Sequence, residues 1–183
     1  KTLVQRKHGL REDPDAILIS LVGRLAEQKG VQLLSGKAKG ENVSVLEALL
    51  IRYPNVQFLI GGPPTPGDAA VGKFGEGVSD LRTRYPNRIS AIFSFIPHRE
   101  ALEITQASDF FLMPSRFEPG GITQLEALAC GTPVVARKVG GLAATLLDWS
   151  DVNQRGNSFL FNEFIFDYTI QYLLAHRICI RYV

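Results

Sequence analysis

The sequence predicts an α/β fold with a doubly wound, parallel, Rossmann-like sheet. Three observations point there. Short runs that are apolar on both faces recur along the chain, bounded by Gly and Pro, as expected of strands buried on both sides. Helical patterns stand between them, and a β-α-β-α alternation makes parallel strands with helices on both faces. Glycine-rich or charged segments follow directly after several of the runs, where sheets of this kind hold their ligands.

The first strand is read at Ala16–Val22 (AILISLV). Val56–Ile60, Ile89–Phe93, Phe110–Met113 and Thr132–Ala136 are the next four. Helices are predicted where apolar residues return every three or four positions. Val43–Ile51 does so at Val45, Leu46, Leu49 and Leu50, and Arg99–Gln106 and Ile122–Cys130 keep the same rhythm. Three segments read as irregular: Ser35–Asn42, Asp148–Asn157, and Gly61–Gly77, which is longer than an ordinary βα loop. Residues 1–15 read as a linker or fragment start. Residues 16–163 read as the sheet domain, and 164–183 as a helical tail. The sequence lacks an initiator Met, and the chain is read as a piece of a longer protein.

Composition excludes several classes. The chain has 183 residues, 45% hydrophobic and 21% charged, which suits one packed domain. A net charge of +2 implies neither a nucleic-acid nor an acidic-membrane partner. No apolar run reaches the roughly 18 residues that span a bilayer. Cys130 and Cys179 lack metal-ligand spacing and make no disulfide framework, which suits a reducing compartment. His8, His98 and His176 show no metal-site spacing, and no Gly-x-Ser-x-Gly elbow is present. Hydrolysis by a serine triad or by a metal has no support here. Gly67–Lys73 matches most of a phosphate-binding P-loop, but Phe74 stands where a magnesium-holding Ser or Thr belongs, so a P-loop NTPase is not expected.

Three constellations carry chemistry. Gly23, Arg24, Lys29 and Gly30 follow the first strand. Glycine admits a ligand close to the backbone, and the two cations suit phosphate oxygens; a solvated loop with two ordinary surface cations is the plainer reading. Ser115–Glu126 (SRFEPGGITQLE) lies between the fourth strand and a helix. Gly120 and Gly121 stand at the helix entrance, where free N–H groups and the dipole favour anions. Carboxylates at Glu118 and Glu126 fit sugar and ribose hydroxyls better than an anion. Helix capping by Glu118 and solvation of Glu126 are the alternatives. Lys138–Leu142 (KVGGL) places a second Gly pair after the fifth strand, either as ligand contact or as a tight turn.

At Pro114–Glu126 the sequence resembles the E-x7-E region of retaining GT-B glycosyltransferases, with Glu118 and Glu126 in the two Glu positions. VGRLAEQKG (Val22–Gly30) resembles that family's donor-phosphate motif, and KVGGL its later Gly-rich turn. PSRFEP together with YPNRISAIFSF (Tyr85–Phe95) is similar to glycogen and starch synthases. The resemblance runs from about Ile17 to Phe161. It implies one half of a GT-B fold and a donor site for ADP- or UDP-glucose. Arg24, Lys29 and Glu118 would be the catalytic set. Gly23, Phe95, Ile96, Gly120, Gly121, Ile122, Thr123 and Glu126 would bind donor, with Phe95 and Ile96 near the base and Glu126 on the ribose. Glucose would pass to the 4-hydroxyl of an α-1,4-glucan with retention, without metal or cofactor.

LEALACGTPVVA (Leu125–Ala136) is closer to the broader group that includes sucrose, trehalose and lipid-linked sugar transferases. A donor domain of that kind, or a non-catalytic nucleotide-binding module, is therefore the alternative. The implied partners are the donor, a glucan or other sugar acceptor, and an N-terminal GT-B domain without which this chain is inactive. The implied location is cytoplasmic, or plastidic in a plant.

Overall fold

The computed structural model describes residues 1–38, 40, 42–149, 153 and 155–162. Among these, six parallel strands form one sheet in the order β3-β2-β1-β4-β5-β6. They are β1 (Ile17–Val22), β2 (Val56–Gly61), β3 (Ile89–Ile92), β4 (Phe110–Met113), β5 (Val134–Arg137) and β6 (Ser158–Phe161). The doubly wound parallel sheet expected from the sequence is the fold observed. Five strands fall where the apolar runs place them. β6 was not anticipated, because Ser158–Phe161 is short and follows a polar turn segment.

Two apolar layers cover the sheet. Ile17, Ile19 and Leu21 of β1 face a core built with α2 (Val31–Ser35), α3 (Val45–Arg52) and α4 (Ala69–Arg84). Leu18 and Val22 face a second core with α5 (His98–Ala107), α6 (Thr123–Ala129) and α7 (Gly140–Thr145). Strands buried on both sides cannot alternate in polarity, which is why β1 reads ILISLV.

The largest departure from expectation lies in Gly61–Gly77. A connection of only a few residues follows β2, and α4 then begins at Ala69. Asp68 caps it, its side chain accepting from Ala70 N and Val71 N at 3.0 and 3.2 Å. Val71, Phe74, Val78 and Leu81 repeat at helical spacing and are buried. Gly72, Gly75 and Gly77 masked that stripe, since glycine disfavours helix interiors. Phe74 is fully buried. The P-loop-like glycines therefore belong to a helix and its cap, not to a phosphate cradle.

Residues 1–15, read as a linker or fragment start, contain α1 (Thr2–Lys7). Lys1 Nζ lies 2.6 Å from Asp109 Oδ2. Gln5 Nε2 donates to Gln57 Oε1 at 2.9 Å in a fully buried amide pair. Residues 164–183, read as a helical tail, lie outside the described residues.

Glycines set how closely the loops at the carboxyl ends of the strands approach one another. A Cβ on Gly30 would sit 1.9 Å from Pro114 O, so the segment after β1 lies against the end of β4 backbone to backbone. A Cβ on Gly141 would sit 1.9 Å from Gly120 O, which packs the start of α7 on the loop after β4 in the same way.

Two stability outcomes follow. Phe74→Ala should cost about 3–5 kcal/mol, the usual loss for a fully buried aromatic, read as a lowered urea midpoint. Gly30→Ala and Gly67→Ala both place a side chain at positive φ, +79° and +77°, but nothing lies within 4 Å of a Cβ at Gly67. Backbone strain of this kind costs about 1–3 kcal/mol. Gly30→Ala should be the more damaging in the same melts, because it alone adds the collision with Pro114.

Candidate functional site

The chain runs outward from β1 to β2 and β3, then returns to β4 on the other side of β1. At such a reversal the crossovers leave in opposite directions and open a crevice beyond the carboxyl ends of the strands. Two adjoining cavities occupy that place. One of about 340 Å³ is bordered by Gly23, Arg24, Phe95, Ile96, Thr123 and Glu126, among others. Another of about 300 Å³ shares Val22, Gly23, Arg24 and Thr123 and adds Lys29 and Ser115. Pieces of sequence as far apart as Val22 and Glu126 thus meet at one crevice.

The segments after β1 and β4 are joined by side-chain and backbone contacts in register. Arg116 N donates to Gln28 O at 2.9 Å, and Gln28 Nε2 donates to Phe117 O at 3.1 Å. Arg116 also pairs with Glu27. Lys29 Nζ donates to Glu118 Oε2, and Ser115 Oγ approaches the same oxygen at 3.3 Å. The Glu118 side chain is 7% exposed and that of Lys29 25%. The carboxylate is therefore pinned through one oxygen beneath a cation whose edge reaches the cavity. An ammonium has three donors, so the pairing leaves Lys29 able to donate outward as well.

Arg24 is exposed, meets Thr65 Oγ1 at 3.4 Å and borders both cavities. It and Lys29 put two cations on one crevice. A third link steadies this segment from the α4 side. Asp68 Oδ2 accepts from Glu27 N at 2.8 Å. That bond, followed by those from Val71 N and Ala70 N, holds the Asp68 carboxyl below its ordinary value.

The other candidate residues take distinct positions. Glu126 lies on α6, partly exposed, with Oε1 3.7 Å from His98 Nε2. Phe95 is exposed and Ile96 buried at the edge of the larger cavity. Thr123, the first residue of α6, borders both cavities. Gly120, Gly121 and Ile122 border neither, and Ile122 is exposed at the N-cap of α6. The Gly140–Gly141 pair is occupied by packing: Gly141 N donates to Glu118 O at 2.7 Å, and a Cβ on Gly140 would meet that same oxygen at 2.2 Å. Of the two readings of KVGGL, the turn that seats α7 on the Glu118 loop accounts for both glycines.

Three contributors escaped the sequence reading. Gln124 is fully buried and donates from Nε2 to Gly120 O, Gly121 O and Thr145 Oγ1 at 3.1, 3.0 and 3.2 Å. It ties the glycine loop to both α6 and α7. Ser115 is buried beside Glu118; its position three residues before that Glu in one loop was the available signal. His98 was read only as one of three scattered histidines, although it opens α5 immediately after Phe95 and Ile96. Among the described residues, no group of three His, Cys, Asp or Glu side chains is arranged to hold a metal ion, and no helix is long and apolar enough to cross a membrane.

Comparison with known proteins agrees with this architecture. Residues 3–162 match the family described as glycosyl transferases group 1. The chain is 39% identical over 166 residues to glycogen synthase 2 of Nitrosococcus oceani, covering 89% of this chain and 30% of that protein. It is 40% identical over 178 residues to a glycogen synthase of Anaeromyxobacter dehalogenans, covering 96% of this chain and 32% of that protein. It therefore spans about a third of the length of these relatives. Among solved structures, the catalytic domain of starch synthase IV from Arabidopsis thaliana, bound to ADP and acarbose, superposes with a TM-score of 0.68 at 24% identity. That match covers 95% of this chain and 34% of the other. Sucrose-phosphate synthase from Thermosynechococcus elongatus superposes with a TM-score of 0.64 at 26% identity, covering 94% of this chain and 39% of the other. With a matching family over nearly its whole described length, and the switch-point crevice in place, this chain belongs to the group 1 glycosyl transferases.

Proposed function

We propose that the chain is the donor-binding part of a retaining glucosyltransferase, one that moves glucose from ADP- or UDP-glucose to the 4-hydroxyl of an α-1,4-glucan. The observation that carries this reading is the meeting of Arg24, Lys29 and Glu126 at the crevice beyond β1 and β4, with Glu118 buried behind Lys29 and paired to it. Similarity to glycogen synthases at 39–40% identity supports the glucan reading.

The chemistry fits those residues. Breaking the bond between sugar and diphosphate leaves negative charge on the departing oxygen. Fixed cations aimed at that oxygen lower the barrier without reorganising. Arg24 supplies a planar fork of donors and Lys29 a point charge. In this reading they neutralise the diphosphate, and no metal is needed. Glu118, held through Oε2, presents its remaining oxygen to donor-sugar hydroxyls. Glu126 takes the ribose hydroxyls, and the base lies along Phe95 and Ile96. A domain outside this chain completes the acceptor side, so the chain alone binds donor and turns over little or nothing. We place the protein in the cytoplasm, or in a plastid in a plant.

The second reading, a donor domain of a sucrose- or trehalose-type transferase, is favoured by the LEALACGTPVVA run on and after α6. Calorimetric titration with ADP-glucose, UDP-glucose and GDP-linked sugars, with and without magnesium, tests the donor assignment. The proposal expects metal-independent binding with ADP- or UDP-glucose preferred. Preference for a GDP-sugar contradicts the glucan assignment, and an absolute magnesium requirement contradicts the two-cation account.

Glu126→Ala should weaken sugar-nucleotide binding by about 1.5–3 kcal/mol, the cost of losing hydrogen bonds to a charged group. Unchanged affinity in the folded variant excludes the ribose role. Lys29→Ala should reduce affinity for sugar nucleotides by more than it reduces affinity for the free nucleoside. Equal losses exclude the diphosphate role.

A further inference from the structure

We propose that His98 is a positioning residue for Glu126: in its protonated form it holds that carboxylate at the larger cavity, so that affinity for a sugar nucleotide rises as pH falls through the histidine range. The inference rests on the donor reading above and adds a titratable element to it.

His98 is the first residue of α5, held next to Phe95 and Ile96 by Pro97 at the N-cap. Across the packed pair of helices stands Glu126 of α6. Nε2 lies 3.7 Å from Oε1, within reach of an ion pair and beyond a good hydrogen bond. Both side chains border the larger cavity together with Phe95 and Arg24. The His98 side chain is 70% exposed and that of Glu126 34%, so neither is fixed by packing alone. An attraction at Oε1 leaves Oε2 to accept from a ribose hydroxyl.

The surrounding charges leave Glu126 as the carboxylate that His98 answers to. On α5 itself, Arg99 pairs with Glu103 at 3.2 Å. Glu100 pairs with Lys7 of α1 at 2.9 Å and lies 3.7 Å from His8, and Lys7 approaches Glu103 at 3.9 Å. Arg24, after β1, borders the same cavity. Histidine is the side chain whose charge ordinarily changes between about pH 5 and pH 8. As the ring loses its proton the attraction fades, and Glu126 is free to leave the orientation that a ribose needs.

The test is calorimetric titration of the 183-residue chain with ADP-glucose and UDP-glucose at about pH 6 and about pH 8, the span over which histidine titrates. Both phosphates of these probes are esterified, so the ligands keep one charge over that span. Wild-type affinity should be about two- to fivefold higher at the lower pH, the range of a single exposed ion pair. The pH dependence should vanish in both His98→Asn and Glu126→Gln, and His98→Asn should have no further effect in the Glu126→Gln background. A second measurement needs no ligand: the NMR titration midpoint of the His98 ring, assigned by its loss in His98→Asn, should fall in Glu126→Gln. A pH dependence that survives in His98→Asn overturns the proposal, as does an unmoved midpoint. If the wild type binds sugar nucleotides without this dependence, the positioning role falls and the donor reading stands. If it binds none at either pH, both fall.

Discussion

Everything at the crevice depends on one close approach, that of the backbone at Gly30 to the backbone at Pro114. Any side chain at position 30 would collide with that carbonyl. Because none is present, the segment after β1 and the segment after β4 run side by side. The Gln28–Arg116 and Gln28–Phe117 hydrogen bonds then form, and Lys29 reaches Glu118. On its other side the Glu118 loop is seated on α7 by the same device, Gly141 against Gly120. The loop is thus held between two neighbours, with Gln124 bonding it from within. A binding loop at the end of a strand is ordinarily mobile. This one is fixed by contacts that tolerate no Cβ, and preorganisation of that kind is what electrostatic catalysis requires.

The Lys29–Glu118 pair is a poor candidate for a stabilising element. Removing two charges from water costs about as much as their attraction returns, and apolar replacements often stabilise. Its position suggests a different use. The carboxylate is buried and bound through one oxygen, while the cation stays at the cavity edge. Glu118 thereby aims Lys29, and Lys29 holds the Glu118 carboxylate in place. In the proposed reaction the same two groups divide the donor between them, the ammonium facing the diphosphate and the remaining carboxylate oxygen facing the sugar. Neither does its work well alone, so a change at either residue disturbs both contacts.

The sheet was legible because strands buried on both faces must be apolar throughout. ILISLV and FFLM could be placed almost to the residue. The helix α4 was not legible, because Gly72, Gly75 and Gly77 imitate a loop, and only the buried spacing of Val71, Phe74, Val78 and Leu81 reveals it. β6 escaped because Ser158–Phe161 begins with a polar residue directly after the turn-forming segment Asp148–Asn157. At the crevice, charged residues next to glycines after strands marked Arg24, Lys29 and Glu118 as candidates. What the sequence could not convey was distance between segments. The meeting of Ser115 and Lys29 at one carboxylate oxygen, the three bonds of Gln124, and the approach of His98 to Glu126 arise from packing of elements far apart in the chain. Local spacing holds no record of such contacts. The second glycine pair shows the converse. Gly140 and Gly141 resemble a ligand cradle in sequence, and the structure commits them to holding α7 on the Glu118 loop.

The central claim is that a sugar nucleotide lies across the carboxyl ends of β1 and β4, and a crystal structure of the chain grown with ADP-glucose or UDP-glucose tests it most directly. The account predicts the diphosphate within hydrogen-bond distance of Arg24 and Lys29, the ribose hydroxyls on Glu126, and the Lys29–Glu118 pair retained. A nucleotide seated elsewhere, for example in the groove beside α4 bordered by Pro64, Gly72 and Phe93, would contradict it.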